Sequence, residues 1–198
     1  MRSFFVLPVI VLWLAALCGG FSAVTRFDVN AGTQKDSPPT WPSQTKLKFD
    51  DRTHNLVLSL HPMCSCSNAT VTELEQVIAA SGNRLKVHAL ISIPPNSPNE
   101  WRSSELVERV RKLPQTEVFL DENCDEAKRY GAATSGDVVL YSTDRQRVFR
   151  GGITAARGHA GDSLGKETII AFVSGKDVES KDTPVFGCRL ENEPETRK

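Results

Sequence analysis

The chain has no surplus charge of either sign, with 24 lysines and arginines against 24 aspartates and glutamates. Its basic residues are scattered, so the electrostatic footprint of nucleic-acid binding is missing and nucleic acid is disfavoured as a partner. There is no internal repeat and no low-complexity tract. At 198 residues the sequence holds one domain with a full core and some appendages. Charge is missing altogether between Arg2 and Arg26, and residues 4–17 are almost wholly apolar. With residues 18–24 added, this segment reaches the roughly 20 residues a membrane helix needs. A small-x-small cleavage site is lacking, because Phe21 stands two positions before Ala23. Leucine before Cys18 also fits a lipoprotein box poorly. Residues 1–25 are therefore expected to be an uncleaved single-pass anchor rather than a cleaved signal peptide. The rest of the chain is expected in the periplasm or otherwise outside the cytoplasm.

From Asn30 to Thr45 the composition turns to glycine, threonine, serine and proline. Residues 26–45 read as an extended linker that lifts the domain off the membrane, with Trp41 either docked on the domain surface or marking its first ordered residue. Residues 46–190 form the domain, and the charged end, 191–198, reads as a disordered tail.

Within the domain, strand and helix signals alternate. Leu56–Leu60 is an apolar run of strand length. Val71, Leu74, Val77 and Ile78 recur at helical spacing over residues 70–80. Residues 85–93 are β-rich, Leu106–Leu113 mark a second helix, and residues 117–120 a third strand with a short helical stretch after it. Residues 138–141 and 147–149 form a hairpin, and residues 168–173 a closing helix. This order implies an α/β fold with a mixed sheet and helices on both faces.

The chemistry concentrates in His61-Pro62-Met63-Cys64-Ser65-Cys66, between the first strand and the first helix of the domain. Unpaired N–H groups and the positive end of the helix dipole favour thiolate over thiol there. A thiolate is the better nucleophile and the better metal ligand. The strand order also brings distant segments to one sheet edge. If the fourth strand runs antiparallel to the first, Ser135 begins at the edge where Cys64 lies, and the hairpin returns Arg157 and His159 to it. Arg157 would stabilise the thiolate or bind a substrate carboxylate; His159 would act as a base, a cation or a ligand. His54 and His88 read as structural.

The β-α order with thiols at that junction resembles the thioredoxin fold. Further matching stretches are Thr40-Trp41-Pro42, Tyr130 to Gly136, Gly151 to Thr154, Arg157 to Asp162 and Pro184-Val185-Phe186-Gly187-Cys188. Over about residues 40–190 the chain resembles bacterial membrane-anchored thioredoxin-like proteins of the RedB type. The resemblance implies a thioredoxin-like three-layer fold behind an N-terminal apolar helix. Two departures from ordinary thioredoxins stand out. The position three after Cys64 is Ser67, with the second cysteine at Cys66, and Thr134-Ser135-Gly136-Asp137 stands where the relatives carry a cis-proline that keeps metal from the thiols.

Two functions are carried forward. The first is a thiol–disulfide oxidoreductase acting on protein thiols or disulfides as a monomer, in which Cys64 attacks and Cys66 resolves. A C-x-C disulfide closes a small strained ring, which suits oxidation or isomerisation. The alternative is a Cu(I) or Zn module with His61, Cys64, Cys66 and His159 as ligands. A peroxidase and a redox-inert scaffold rank below both. Cys124 and Cys188 either pair with each other, or Cys188 approaches the site as a resolving thiol.

Overall fold

Five apolar runs form one mixed sheet: β1 (His54–Leu60), β2 (Leu85–Ile93), β3 (Thr116–Glu122), β4 (Asp137–Tyr141) and β5 (Arg147–Gly151). The strands lie in the order β3-β2-β1-β4-β5. β1, β2 and β3 are mutually parallel, β4 is antiparallel to β1, and β5 to β4. The computed structural model describes residues 3–176, 178 and 182–191. Apart from Glu191, the tail expected over 191–198 lies outside the described residues.

The parallel strands need crossover connections, and helices supply them. On one face α2 (Cys66–Ser81), α3 (Glu105–Arg111) and α5 (Leu164–Val173) cover the sheet. Val71, Leu74, Val77 and Ile78 of α2 meet Leu56, Leu58 and Leu60 of β1 in the main core. α2 starts four residues before the apolar periodicity does, because its first turn, Cys66-Ser67-Asn68-Ala69, is largely polar. α5 likewise starts at Leu164 rather than at residue 168, capped by Ser163, whose hydroxyl accepts from the Lys166 N–H.

The opposite face carries α4 (Asp125–Arg129) and a second core around Trp41. The indole packs edge-on against Phe49, Tyr130 and Tyr141, with ring centroids 5.0–5.5 Å apart. Truncating a side chain buried this way costs about 3–5 kcal/mol, so the segment before the domain is bound to it.

That binding changes the reading of the linker. The apolar helix α1 (Ser3–Asp28) runs past the boundary expected at residue 25. The residues after it do not stand off as a spacer. Gly32 N–H donates to Val185 O, Lys35 N–H to Gly131 O, and Trp41 N–H to Arg145 O, while Thr134 Oγ1 donates to Thr33 O. Gly131, at φ 78°, has no room for a Cβ, which would lie 2.5 Å from Asp36 O. Proline and glycine here shape a strap that follows the domain surface, which composition alone cannot tell from a free linker.

His88 belongs to this second core, fully buried, with Nε2 3.1 Å from Asn55 Oδ1 and its ring 5.4 Å from Trp41. Burial lowers its pKa from 6.5 to about 4, with the nearby Lys86 charge adding to the effect. Between those values the unfolded chain binds the proton and the folded chain does not. The stability this residue contributes is thus present above 6.5 and lost as pH falls through that window. Urea unfolding should show the native chain losing about 3 kcal/mol relative to His88→Gln between pH 7 and pH 4. A difference that stays constant with pH would contradict a buried neutral imidazole.

Candidate active site

β1 ends at Leu60, and the chain turns tightly into α2. Cys64 N–H donates to His61 O (3.1 Å), and Ser67 N–H donates to Cys64 O (3.0 Å). The Cys64 sulfur therefore sits against the amino end of α2, in a residue only 3 % exposed. Ser135, from the loop before β4, locks this turn. Its hydroxyl accepts from His61 N–H (2.8 Å) and shares a hydrogen bond with the Ser67 hydroxyl (2.8 Å). Antiparallel pairing of β4 with β1 brings Ser135 here, as the topology argument required.

A segment near the carboxyl end closes the site from the other side. Thr134 and Arg189 form an antiparallel bridge, Ser135 N–H donates to Cys188 O (2.8 Å), and Leu190 N–H donates to Ala133 O (3.1 Å). This places Cys188 Sγ 3.0 Å from Cys64 Sγ in a thiol–thiol hydrogen bond. The pairing of Cys188 with Cys124 is not found. All five cysteines are free thiols, and Cys124 is buried in the second core with Sγ 3.5 Å from Leu190 O.

Arg157 also reaches the site, donating from Nη1 to Gly187 O (2.5 Å), next to Cys188. Its backbone N–H donates to Asp28 O, and its guanidinium lies over the Phe27 ring, so the end of α1 docks on this loop. The loop is anchored to α2 and α5 by a buried ion pair, Glu73–Lys166 (2.6 Å). Glu73 Oε1 accepts from Gly161 N–H (2.7 Å), and Lys166 Nζ donates to Gly161 O (2.9 Å). His159 lies on the same loop. It is exposed, and its Nδ1 lies 2.6 Å from Arg157 O, because the loop folds the ring back on its own backbone.

Burial alone would push the Cys64 thiol up. Against it act the thiol and backbone N–H of Cys188, the Ser67 hydroxyl and the Cys66 backbone N–H, and the balance holds Cys64 below the ordinary thiol value. Cys66 is pushed up by burial and then by the charge of Cys64. Cys188 is pushed up to about 12 by burial and by its hydrogen bond to Cys64, and Arg157 opposes the rise in both. Cys64 is thus singled out as the most acidic sulfur of the cluster.

The alternative ligand set does not assemble. His61 packs edge-on against Trp101 with Nδ1 accepting from Met63 N–H, and His159 faces Arg157 O. Among the described residues no group of three or more His, Cys, Asp or Glu side chains is arranged to hold a metal ion. An open cleft of about 450 Å³ adjoins Cys64, lined among others by Met63, Asn68, Ser104 and Leu106.

No protein-family model and no curated protein matches the sequence. Among solved structures, the chain is similar to an uncharacterized conserved protein from Geobacillus kaustophilus, at a TM-score of 0.58 and 18 % identity, over 85 % of this chain and 95 % of that one. It is similar to a hypothetical protein from Sinorhizobium meliloti at 0.54 and 22 %, over 82 % and 94 %. A secreted disulfide oxidoreductase from Mycobacterium tuberculosis, homologous to E. coli DsbE, follows at 0.43 and 14 %, over 62 % and 81 %. The strand order, with thiols at the first strand-to-helix junction, decides the fold. The fold is thioredoxin-like.

Ser67 went unnoticed as a site residue in the sequence, although its spacing of three from Cys64 pointed at it. Its hydroxyl is one of the groups that lower the Cys64 thiol. Ser67→Ala should raise the apparent pKa of Cys64, because one of the groups that lower it is removed. Alkylation rate against pH measures this, with Cys124→Ser as the unshifted control. An unchanged profile in Ser67→Ala would remove the hydroxyl from the account of the thiolate.

Proposed function

We propose that this chain is an exported, membrane-anchored thiol–disulfide oxidoreductase of the RedB-like kind, with Cys64 as the attacking thiol. One observation carries the reading: a buried sulfur at a helix amino terminus, held below the ordinary thiol pKa, with a second thiol 3.0 Å away. A thiolate attacks a disulfide sulfur, and a neighbouring thiol must then release the mixed disulfide. Both requirements are present in one place. Ser135 acts as a positioning residue for the β1–α2 turn, and Arg157 supplies positive charge beside Cys66 and Cys188. His159, exposed on the same loop, is left the part of orienting Arg157.

Substrates under this reading are protein thiols or disulfides. Val6–Asp28 forms one helix long and apolar enough to cross a membrane, with a mean hydropathy of 2.2 and no part of it buried in the domain. The docking of Phe27 and Asp28 on the Arg157 loop would then hold the site close to the membrane surface.

Purified protein should catalyse thiol-dependent reduction of a protein disulfide such as insulin's. Cys64→Ser should abolish turnover, while Cys124→Ser leaves it intact. Turnover that survives in Cys64→Ser would contradict the reading. The full chain should stay in the membrane fraction after carbonate washing, and a chain beginning at Asn30 should be soluble and folded. A chain beginning at Pro38 should unfold at lower urea, because it loses the hydrogen bonds of Gly32, Thr33 and Lys35. Full-length protein recovered in the soluble fraction would overturn the anchor.

A further inference from the structure

We propose that Cys64 closes its disulfide with Cys188 rather than with Cys66, and that residues 185–190 are a tethered strand lying where an extended, cysteine-bearing segment of a partner protein docks. The proposal rests on the oxidoreductase reading and adds to it the second thiol and the form of the substrate.

Local geometry separates the two candidate thiols. Cys64, Ser65 and Cys66 are already wound into a helical turn, with Ser65 at φ −59° and ψ −32° and Ser67 N–H bonded to Cys64 O. Residues two apart in such a turn project from different faces of the helix, so although the Cys66 thiol hydrogen-bonds the Cys64 sulfur, the two are not aligned for a bridge. A Cys64–Cys66 bridge would have to unwind the start of α2, because disulfide geometry tolerates little distortion. Cys188 comes from a separate segment and faces Cys64 directly, at 3.0 Å.

That segment is held by backbone pairing. Ser135 N–H donates to Cys188 O, Leu190 N–H donates to Ala133 O, and Thr134 bridges Arg189. Gly187 permits the close approach, since a Cβ there would lie 2.0 Å from Ser135 O. Pairing through main-chain atoms is indifferent to side chains, so another extended segment can take the same edge. With Cys64 only 3 % exposed, a partner reaches the sulfur when residues 185–190 give way. The open cleft beside Met63 and Leu106 offers room for the partner's flanking residues.

The chemistry balances with a partner disulfide as the oxidant. The Cys64 thiolate attacks one partner sulfur, a Cys64–partner mixed disulfide forms, and the other partner sulfur leaves and takes up a proton. Cys188 then loses its proton and attacks the Cys64 sulfur. The Cys64–Cys188 disulfide forms and the first partner sulfur leaves as the second thiol. Two electrons pass from the Cys64–Cys188 pair to the partner. The order of steps follows from electrostatics. While Cys64 is a thiolate, its charge and hydrogen bond hold the proton on Cys188; once Cys64 is in a mixed disulfide, that hold is gone and Arg157 favours the Cys188 thiolate.

The test begins with the full chain in detergent, oxidised by oxidised glutathione, digested and mapped by mass spectrometry. The expected cross-link joins Cys64 to Cys188; a Cys64–Cys66 or Cys124–Cys188 disulfide overturns the proposal. Cys188→Ser should accumulate glutathione on Cys64, and Cys66→Ser should not; the reverse pattern overturns it while leaving the oxidoreductase reading in place. Turnover that survives in Cys64→Ser removes that reading itself. For the docking edge, Gly187→Ala, checked by circular dichroism for an intact fold, should alkylate at Cys64 faster than the native chain. An equal or slower rate overturns that half of the proposal.

Discussion

A thiol buried as deeply as Cys64 stays protonated unless something donates to its sulfur, and the site is organised around that requirement. The donors come from two separate parts of the chain. The first turn of α2 brings the Cys66 N–H and the Ser67 hydroxyl, and the segment near the carboxyl end brings Cys188. Ser135 then ties the first two to the third, since its hydroxyl meets His61 and Ser67 while its N–H holds the Cys188 carbonyl. The lowered pKa of Cys64 thus belongs only to the assembled fold. It depends on β4 running antiparallel to β1, because only that direction starts the strand at the sheet edge where β1 ends.

The same economy of contacts explains the segments outside the sheet. The strap before Trp41 and the strand around Cys188 hydrogen-bond each other through Gly32 and Val185, and Trp41 and Leu190 at their ends enter the core on the face opposite α2. The Arg157 loop is fixed from beneath by the Glu73–Lys166 pair, both partners nearly dehydrated. Removing one partner of such a pair leaves an unpaired buried charge, a loss of roughly 3–5 kcal/mol. Its extra bonds to both backbone groups of Gly161 show what it secures: the loop carrying Arg157 cannot drift from the amino half of α2.

Much of this was legible in the chain. The strands announced themselves as apolar runs, and the core faces of α2 and α3 through their spacing, because burial writes itself into side-chain choice. Element starts were less visible where the first turn is polar, as at Cys66 and Leu164. Topology placed Cys64, Ser135 and Arg157 together from far-apart positions. It does not reach the orientation of His159, which is set by the local fold of its loop rather than by strand direction. Cys188 was left between two partners, since cysteine spacing says nothing about which thiols meet. The strap was misread as a free spacer because its bonds are made by backbone atoms, which leave no trace in composition.

The central claim is that one thiol is selected for charge while its neighbours are held protonated. Thiolate absorbance in the far ultraviolet, followed against pH on the reduced chain beginning at Asn30, tests it most directly, because Cys18 is then absent. One thiolate should appear below the free value of about 8.5 and disappear in Cys64→Ser. The other three should titrate above it, Cys124 near 11 and Cys188 near 12. Four thiols titrating together at or above the free value would contradict the account.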